Sequence, residues 1–215
     1  EYCRLIRDLG QQYKDRIPVY LALEFDYIPG ISEDFSQLRN QCSLDYTIGS
    51  VHLVRPVDRE GLWFIDGPLP EIYDAGLRDL FDGDVRKAVT IYYHTMNRMI
   101  QGQQPTIIGH MDKIKMHNKG RYFAEDEPWY IRLVEETLDT IQETGGIVEV
   151  NTRGIYKKRS EDLYPGKRIL QSIRKREIPV TISTDAHRPD ELTAYFDETV
   201  KILTDIGFRS VMYLE

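Results

Sequence analysis

Apolar residues recur along this chain in two alternating periods. Tyr2, Leu5, Ile6, Leu9 and Tyr13 fall at helical spacing, so the opening predicts a helix packed by one face. The run from Ile17 to Tyr27 is nearly all apolar until Glu24, the pattern of a parallel strand covered on both faces. Pro29-Gly30 breaks that element. A helix over 31–42 and a second strand over 46–54 follow. The segment 55–81 carries Trp63, Asp66, Gly67, Pro68 and Pro70. It is long, aromatic and turn-rich, and reads as an active-site loop more than a simple connection. Residues 85–101 repeat at helical spacing, and Thr106 to Asp112 form a third strand. A helix over 129–144 is closed by Gly145-Gly146 as its C-cap. A fourth strand, Ile147 to Asn151, precedes a basic loop, a helix over 166–177 and a β-branched strand over 179–184. A helix over 191–206 and a short strand over 208–214 end the chain.

Strands alternating with helices imply an α/β fold with a parallel sheet. There is no repeat, linker or low-complexity segment, so one domain over 1–215 is expected. Polar residues that bind metals stand at the C-terminal ends of the strands, where α/β folds place their sites. They are Glu24, His52, His110, Asp185 and His187, with Asp26, Asp112 and Asn151 nearby. In an extended segment Asp185 and His187 point to the same side. Carboxylate oxygen with imidazole nitrogen suits Zn, Mn or Fe. Three imidazoles and two carboxylates exceed the needs of one four-coordinate ion and predict a cluster of two or three divalent metals. Such a cluster lowers the pKa of a water and clamps an oxyanion such as phosphate. Arg153, Lys157, Lys158 and Arg159 beside it offer charge to a phosphate dianion.

Composition narrows the partners. The net charge of −7 argues against a broad nucleic-acid footprint. No apolar run approaches the roughly 20 residues that span a bilayer, and no signal-peptide pattern opens the chain. Cys3 and Cys42 lack metal spacing and read as free thiols in a reducing cytoplasm. The chain starts at Glu1 without a Met and runs straight into an amphipathic pattern, which reads as a processed, cleaved or truncated product.

Five segments, Leu23-Glu24-Phe25-Asp26-Tyr27, Ile48-Gly49-Ser50-Val51-His52, Ile108-Gly109-His110-Met111-Asp112, Glu149-Val150-Asn151-Thr152 and Ser183-Thr184-Asp185-Ala186-His187, stand in the order seen in the polymerase and histidinol phosphatase (PHP) superfamily. The chain most resembles its histidinol-phosphatase branch, over essentially its whole length. The resemblance implies a distorted seven-stranded α/β barrel with a trinuclear Zn, Mn or Fe cluster. Glu24 would be its bridging carboxylate, and His52, His110, Asp185 and His187 its other ligands. Asn151 would line the site, and Arg159 and Arg188 would be the cations around the phosphate. Family members open with a His-x-His strand and a second histidine-bearing strand, and the first motif matched here is that of the third strand. Two barrel strands are therefore expected to be missing, leaving exposed sheet edges. A separate N-terminal fragment or a second copy of the chain would cover them.

The reaction implied is metal-dependent hydrolysis of a small phosphomonoester, L-histidinol phosphate, by in-line attack of an activated water. Arg153, Arg159 and Arg188 would meet the phosphoryl oxygens. Asp112 or a bound water would protonate the leaving alkoxide. The rivals are another phosphoesterase of the superfamily, acting on phosphotyrosine or a nucleotide phosphate, and a catalytically incomplete fragment or assembly subunit.

Overall fold

A computed structural model describes residues 1–32 and 34–213. The elements run α1 (Tyr2–Tyr13), β1 (Ala22–Asp26), α2 (Ser36–Cys42), β2 (Tyr46–Ser50), β3 (Leu53–Val54), β4 (Trp63–Phe64), α3 (Pro70–Phe81) and α4 (Val85–Gln103). Then follow β5 (Ile107–Ile108), α5 (Pro128–Thr144), β6 (Ile147–Asn151), α6 (Arg153–Tyr156), α7 (Lys167–Lys175), β7 (Val180–Ser183) and α8 (Phe196–Ile206). Among the described residues one sheet has five strands in the order β1-β2-β5-β6-β7, and every neighbouring pair in it is parallel. The alternation of strand and helix thus leads to the α/β fold with a parallel sheet that it predicts. β3 and β4 form a separate antiparallel pair.

Several boundaries differ from the hydrophobic pattern, each for a local reason. The first strand begins only at Ala22, since the Leu21 N–H donates to the Asp45 carboxylate at 2.6 Å instead of to a ladder. The third ends at Ile108, because the chain turns at once: Lys113 N–H donates to His110 C=O at 2.9 Å. The second helix starts at Ser36, where the Asp34 carboxylate accepts the Ser36 N–H at 2.8 Å; Glu33, inside the expected helix, lies outside the described residues. Residues 208–213 form no strand, although Met212 N–H donates to Val180 C=O at 2.7 Å along the outer edge of β7; Leu214 lies outside the described residues.

The stretch 55–81 is more ordered than a loop. Tyr73, Leu77 and Phe81 recur every four residues and are buried on one face of α3, which has Pro70 in its first turn. Trp63 is fully buried, packs at a tilt against Tyr73 and Phe81, and donates its indole N–H to Tyr73 C=O at 2.9 Å. Behind the sheet α4 packs against α3 and α5, and Tyr92, Tyr93 and Tyr130 fill the junction. Gly145, at φ 74°, closes α5 in the left-handed conformation that glycine adopts without strain.

Cys3 and Cys42 correct another expectation. They are bonded as a disulfide, with Cα atoms 5.9 Å apart, which ties the start of α1 to the end of α2. Arg7 reaches Asp45 at 2.7 Å in the same region. An exposed ion pair contributes little, whereas a disulfide typically contributes about 2–4 kcal/mol. The covalent link is therefore the stronger tether of α1, which buries no residue fully. No described helix is long and apolar enough to cross a membrane.

Candidate metal centre

Parallel register lines up the strand ends that carry the candidate ligands. Glu24 pairs with Ile48 and Asp26 with Ser50 across β1 and β2, and Gly49 pairs with Ile108 across β2 and β5. Glu24 and Asp26 share one face of β1, opposite buried Phe25. His52 lies two residues beyond β2 and His110 two beyond β5, so all three neighbouring strands deliver polar groups to one place.

There Glu24, His52 and His110 present ligand atoms that lie within 4.8 Å of one another. His110 Nε2 is 3.1 Å from Glu24 Oε1 and 3.2 Å from His52 Nε2. Two imidazole nitrogens facing one carboxylate oxygen form a donor set suited to a divalent transition metal. His110 Nδ1 is buried with no hydrogen-bond partner among the described residues, so its second nitrogen is not consumed by the fold. The three residues fit a metal.

Electrostatics keep the Glu24 carboxylate ready for the same use. Partial burial pushes the Glu24 carboxyl up, but the hydrogen bond and charge of His110, the Ser50 hydroxyl and His52 hold it well below the ordinary carboxylate range. Ser50 Oγ donates to Glu24 Oε1 at 2.6 Å. Burial pulls His52 down, and Asp26, Asp66 and Glu24 around it prevail and make it more basic than usual. Asp26 Oδ1 accepts the His52 backbone N–H at 3.0 Å and lies 3.5 Å from its Nδ1, an arrangement that fixes the ring. On the far side of His110, its backbone N–H donates to buried Glu149 at 2.7 Å.

Asp185 and His187 line the same cleft, which encloses about 530 Å³. They arrive differently from the strand alternation expected: β7 ends at Ser183, and Asp185 takes φ 49°, a left-handed turn that aspartate tolerates. His187 Nδ1 lies 3.0 Å from its neighbour's carbonyl, Asp185 O, and its side chain is 65% exposed.

The arginines and remaining candidates divide. Arg153 lines the cleft but is spent on structure, with Asp185 Oδ2 at 3.7 Å and Glu191 Oε2 at 3.2 Å. Arg159 also lines it, and among the described residues its guanidinium has no ion-pair partner. Arg188 is exposed and sits 3.4 Å from Asp190, outside the cleft lining. Asn151 is buried, and its side-chain oxygen accepts the Arg153 backbone N–H at 2.9 Å. Asp112 is fully buried, ion-paired to Lys115 at 2.8 Å, and accepts the Gly166 N–H at 2.9 Å. Because the chain turns after His110, Asp112 is not carried to the cleft by strand alternation. Two cleft residues carry no strand-end signal. Asp66 follows β4 and Lys113 opens the turn after His110, and their charges meet at 3.2 Å.

Comparison with known proteins agrees with this geometry. The chain is 27% identical over 215 residues to the probable histidinol-phosphatase of Deinococcus radiodurans, covering 99% of this chain and 74% of that protein. It is 26% identical over 220 residues to that of Schizosaccharomyces pombe, covering 100% and 68%. The solved structure of the hisK protein of Listeria monocytogenes superposes with a TM-score of 0.79 at 20% identity, over 92% of this chain and 74% of that one. The histidinol phosphate phosphatase of Lactococcus lactis, solved with zinc, L-histidinol and phosphate, gives a TM-score of 0.65 at 17% identity, over 98% and 74%. These two likenesses show the fold. The family model of the PHP domain matches residues 1–153, and the chain belongs to the PHP domain family.

Proposed function

We propose that the chain is a metal-dependent phosphomonoester hydrolase that acts on L-histidinol phosphate and releases L-histidinol and inorganic phosphate. The observation that carries this reading is the convergence of Glu24, His52 and His110 in a cleft that also holds the guanidinium of Arg159, which has no ion-pair partner among the described residues. The substrate follows from the relatives, which bear the histidinol-phosphatase name. Glu24, His52 and His110 would hold one divalent metal, zinc by analogy with the Lactococcus protein, and Asp185 and His187 would serve a second. A bound metal supplies Lewis acidity, which acidifies a water and neutralises phosphoryl oxygens. The chain's own groups do the rest. Asp26 orients His52 through its backbone N–H and ring. Glu24 stays ionised, so its oxygens are available to a cation. Arg159 offers a planar fork of donors to the phosphoryl group.

The test is phosphate release by the zinc- or manganese-loaded protein from L-histidinol phosphate, phosphotyrosine and a nucleoside monophosphate. We expect kcat/KM for L-histidinol phosphate to exceed the others by about 100-fold or more, a ratio within reach of a site that pairs polar groups of its substrate. Chelation should abolish activity and added metal restore it, and H110A should lower metal content. A fully loaded protein that releases phosphate from none of the three esters would end this reading.

A further inference from the structure

Lys113 is unusual for a lysine: it is only 8% exposed and lines the metal cleft. It opens the 3-10 turn Lys113–Lys115, three residues after His110, so the turn aims it back at the strand ends. Its Nζ lies 3.2 Å from Asp66 Oδ2, and no other acid pairs with it among the described residues. Asp66 Oδ1 has no hydrogen-bond partner among the described residues, and Oδ2 is 3.9 Å from His52 Nε2. An ammonium has three donors, and a single carboxylate oxygen leaves two of them to the cleft. Burying a charge is expensive unless it is paired or used. A packing role would be met by an apolar side chain, so the position of this charge beside three candidate ligands calls for an anion.

We propose that Lys113 is a catalytic residue that binds the phosphoryl oxygens of the ester, with Asp66 fixing its ammonium in place. This deepens the phosphatase reading and rests on it. In the hydrolysis, a water oxygen bonds to phosphorus and the bond from phosphorus to the ester oxygen breaks. One water proton ends on the departing alkoxide and the other remains on phosphate. Lys113 takes no part in the proton transfer and offsets part of the negative charge on the phosphoryl oxygens. Arg159 meets the same group from another part of the cleft lining, so the two cations act together with the metals.

The experiment compares wild type with K113M, K113R and K113Q, all zinc-loaded. It reads zinc content, kcat/KM for L-histidinol phosphate and the equilibrium Kd for inorganic phosphate. Removing one preorganised donor to a developing oxyanion costs about 100- to 1,000-fold, and we expect K113M to lose kcat/KM on that scale. Phosphate affinity should fall about tenfold or more with zinc content unchanged, and K113R should regain a large part of both. If K113M does not fold, K113Q, which keeps a polar head, takes its place. K113M or K113Q binding phosphate within threefold of wild type overturns the proposal, as does a loss that tracks zinc content. If wild type hydrolyses nothing, the phosphatase reading fails on its own, and the phosphate Kd still decides whether Lys113 binds the anion.

Discussion

A side chain at position 109 would drive its Cβ into the Ser50 hydroxyl, the group that donates to Glu24 at 2.6 Å. Ser50 is fully buried and has no room to retreat. Glycine is therefore required here for close approach, and its φ is not in the left-handed region. We predict that G109A shifts the hydroxyl off Glu24 and weakens zinc binding by about tenfold, the lower end of what losing an orienting partner costs. S50A removes the same hydrogen bond without the collision and should match it. Competition with a chromogenic chelator measures both, and unchanged zinc affinity in S50A would show that Glu24 needs no such support. At this scale Glu24, His52 and His110 were legible because each interrupts an apolar run. Asp66, which closes the apolar run from Leu62 to Ile65, falls in the stretch read as an active-site loop, whereas Lys113 stands on a tight turn among mixed neighbours and gives no signal of its own. Asp112 stands two residues from His110, the spacing of one strand face, but the turn that begins there takes its carboxylate to Lys115 and the Gly166 N–H.

The loop after β7 is held by a turn whose last residue, Glu191, the hydrophobic pattern places at the start of the final helix; that helix begins only at Phe196. Glu191, in the 3-10 turn Pro189–Glu191, accepts the His187 backbone N–H at 2.9 Å. It also pairs with Arg153 at 3.2 Å and with Lys157. Through these contacts one carboxylate ties the Asp185 to His187 loop to α6. The Lys157 hydrogen bond, then the His187 N–H, lower its pKa from the ordinary 4.5 to about 2. The unfolded chain therefore takes up this proton first as pH falls. The contribution of Glu191 to stability is complete above pH 4.5 and is lost progressively toward pH 2. We predict that E191Q is less stable than wild type at neutral pH and that the gap closes across that interval. Urea midpoints measured at a series of pH values check this, and a gap that stays constant down to pH 2 would refute the assignment. Elements with a clean period, α4, α5 and β6, were readable within a few residues. The short ones, β3, β4 and α6, depend on tertiary packing that no local period encodes.

At the scale of the molecule, the sheet matters because Glu24, His52 and His110 come from three strands that are neighbours in space and far apart in sequence. Alternation of strands and helices is enough to predict parallel pairing, and pairing is enough to gather the strand ends. The relative depth of each group in the cleft depends on register, which the sequence leaves open. A metal held by all three residues would cross-link β1, β2 and β5 and bind the folded chain alone. At 100 times its Kd such a ligand adds about 2.7 kcal/mol. For a chain of this size each kcal/mol moves Tm by roughly 2–4 °C. Zinc added to metal-free protein should therefore raise Tm by roughly 5–10 °C, with the increment set by the logarithm of free zinc. H52A removes the middle strand's contribution and should lose most of the increment while its metal-free Tm changes little. A zinc shift of the same size in H52A would place the ion elsewhere in the cleft, at Asp185 and His187, and would separate the metal from the three-strand cluster.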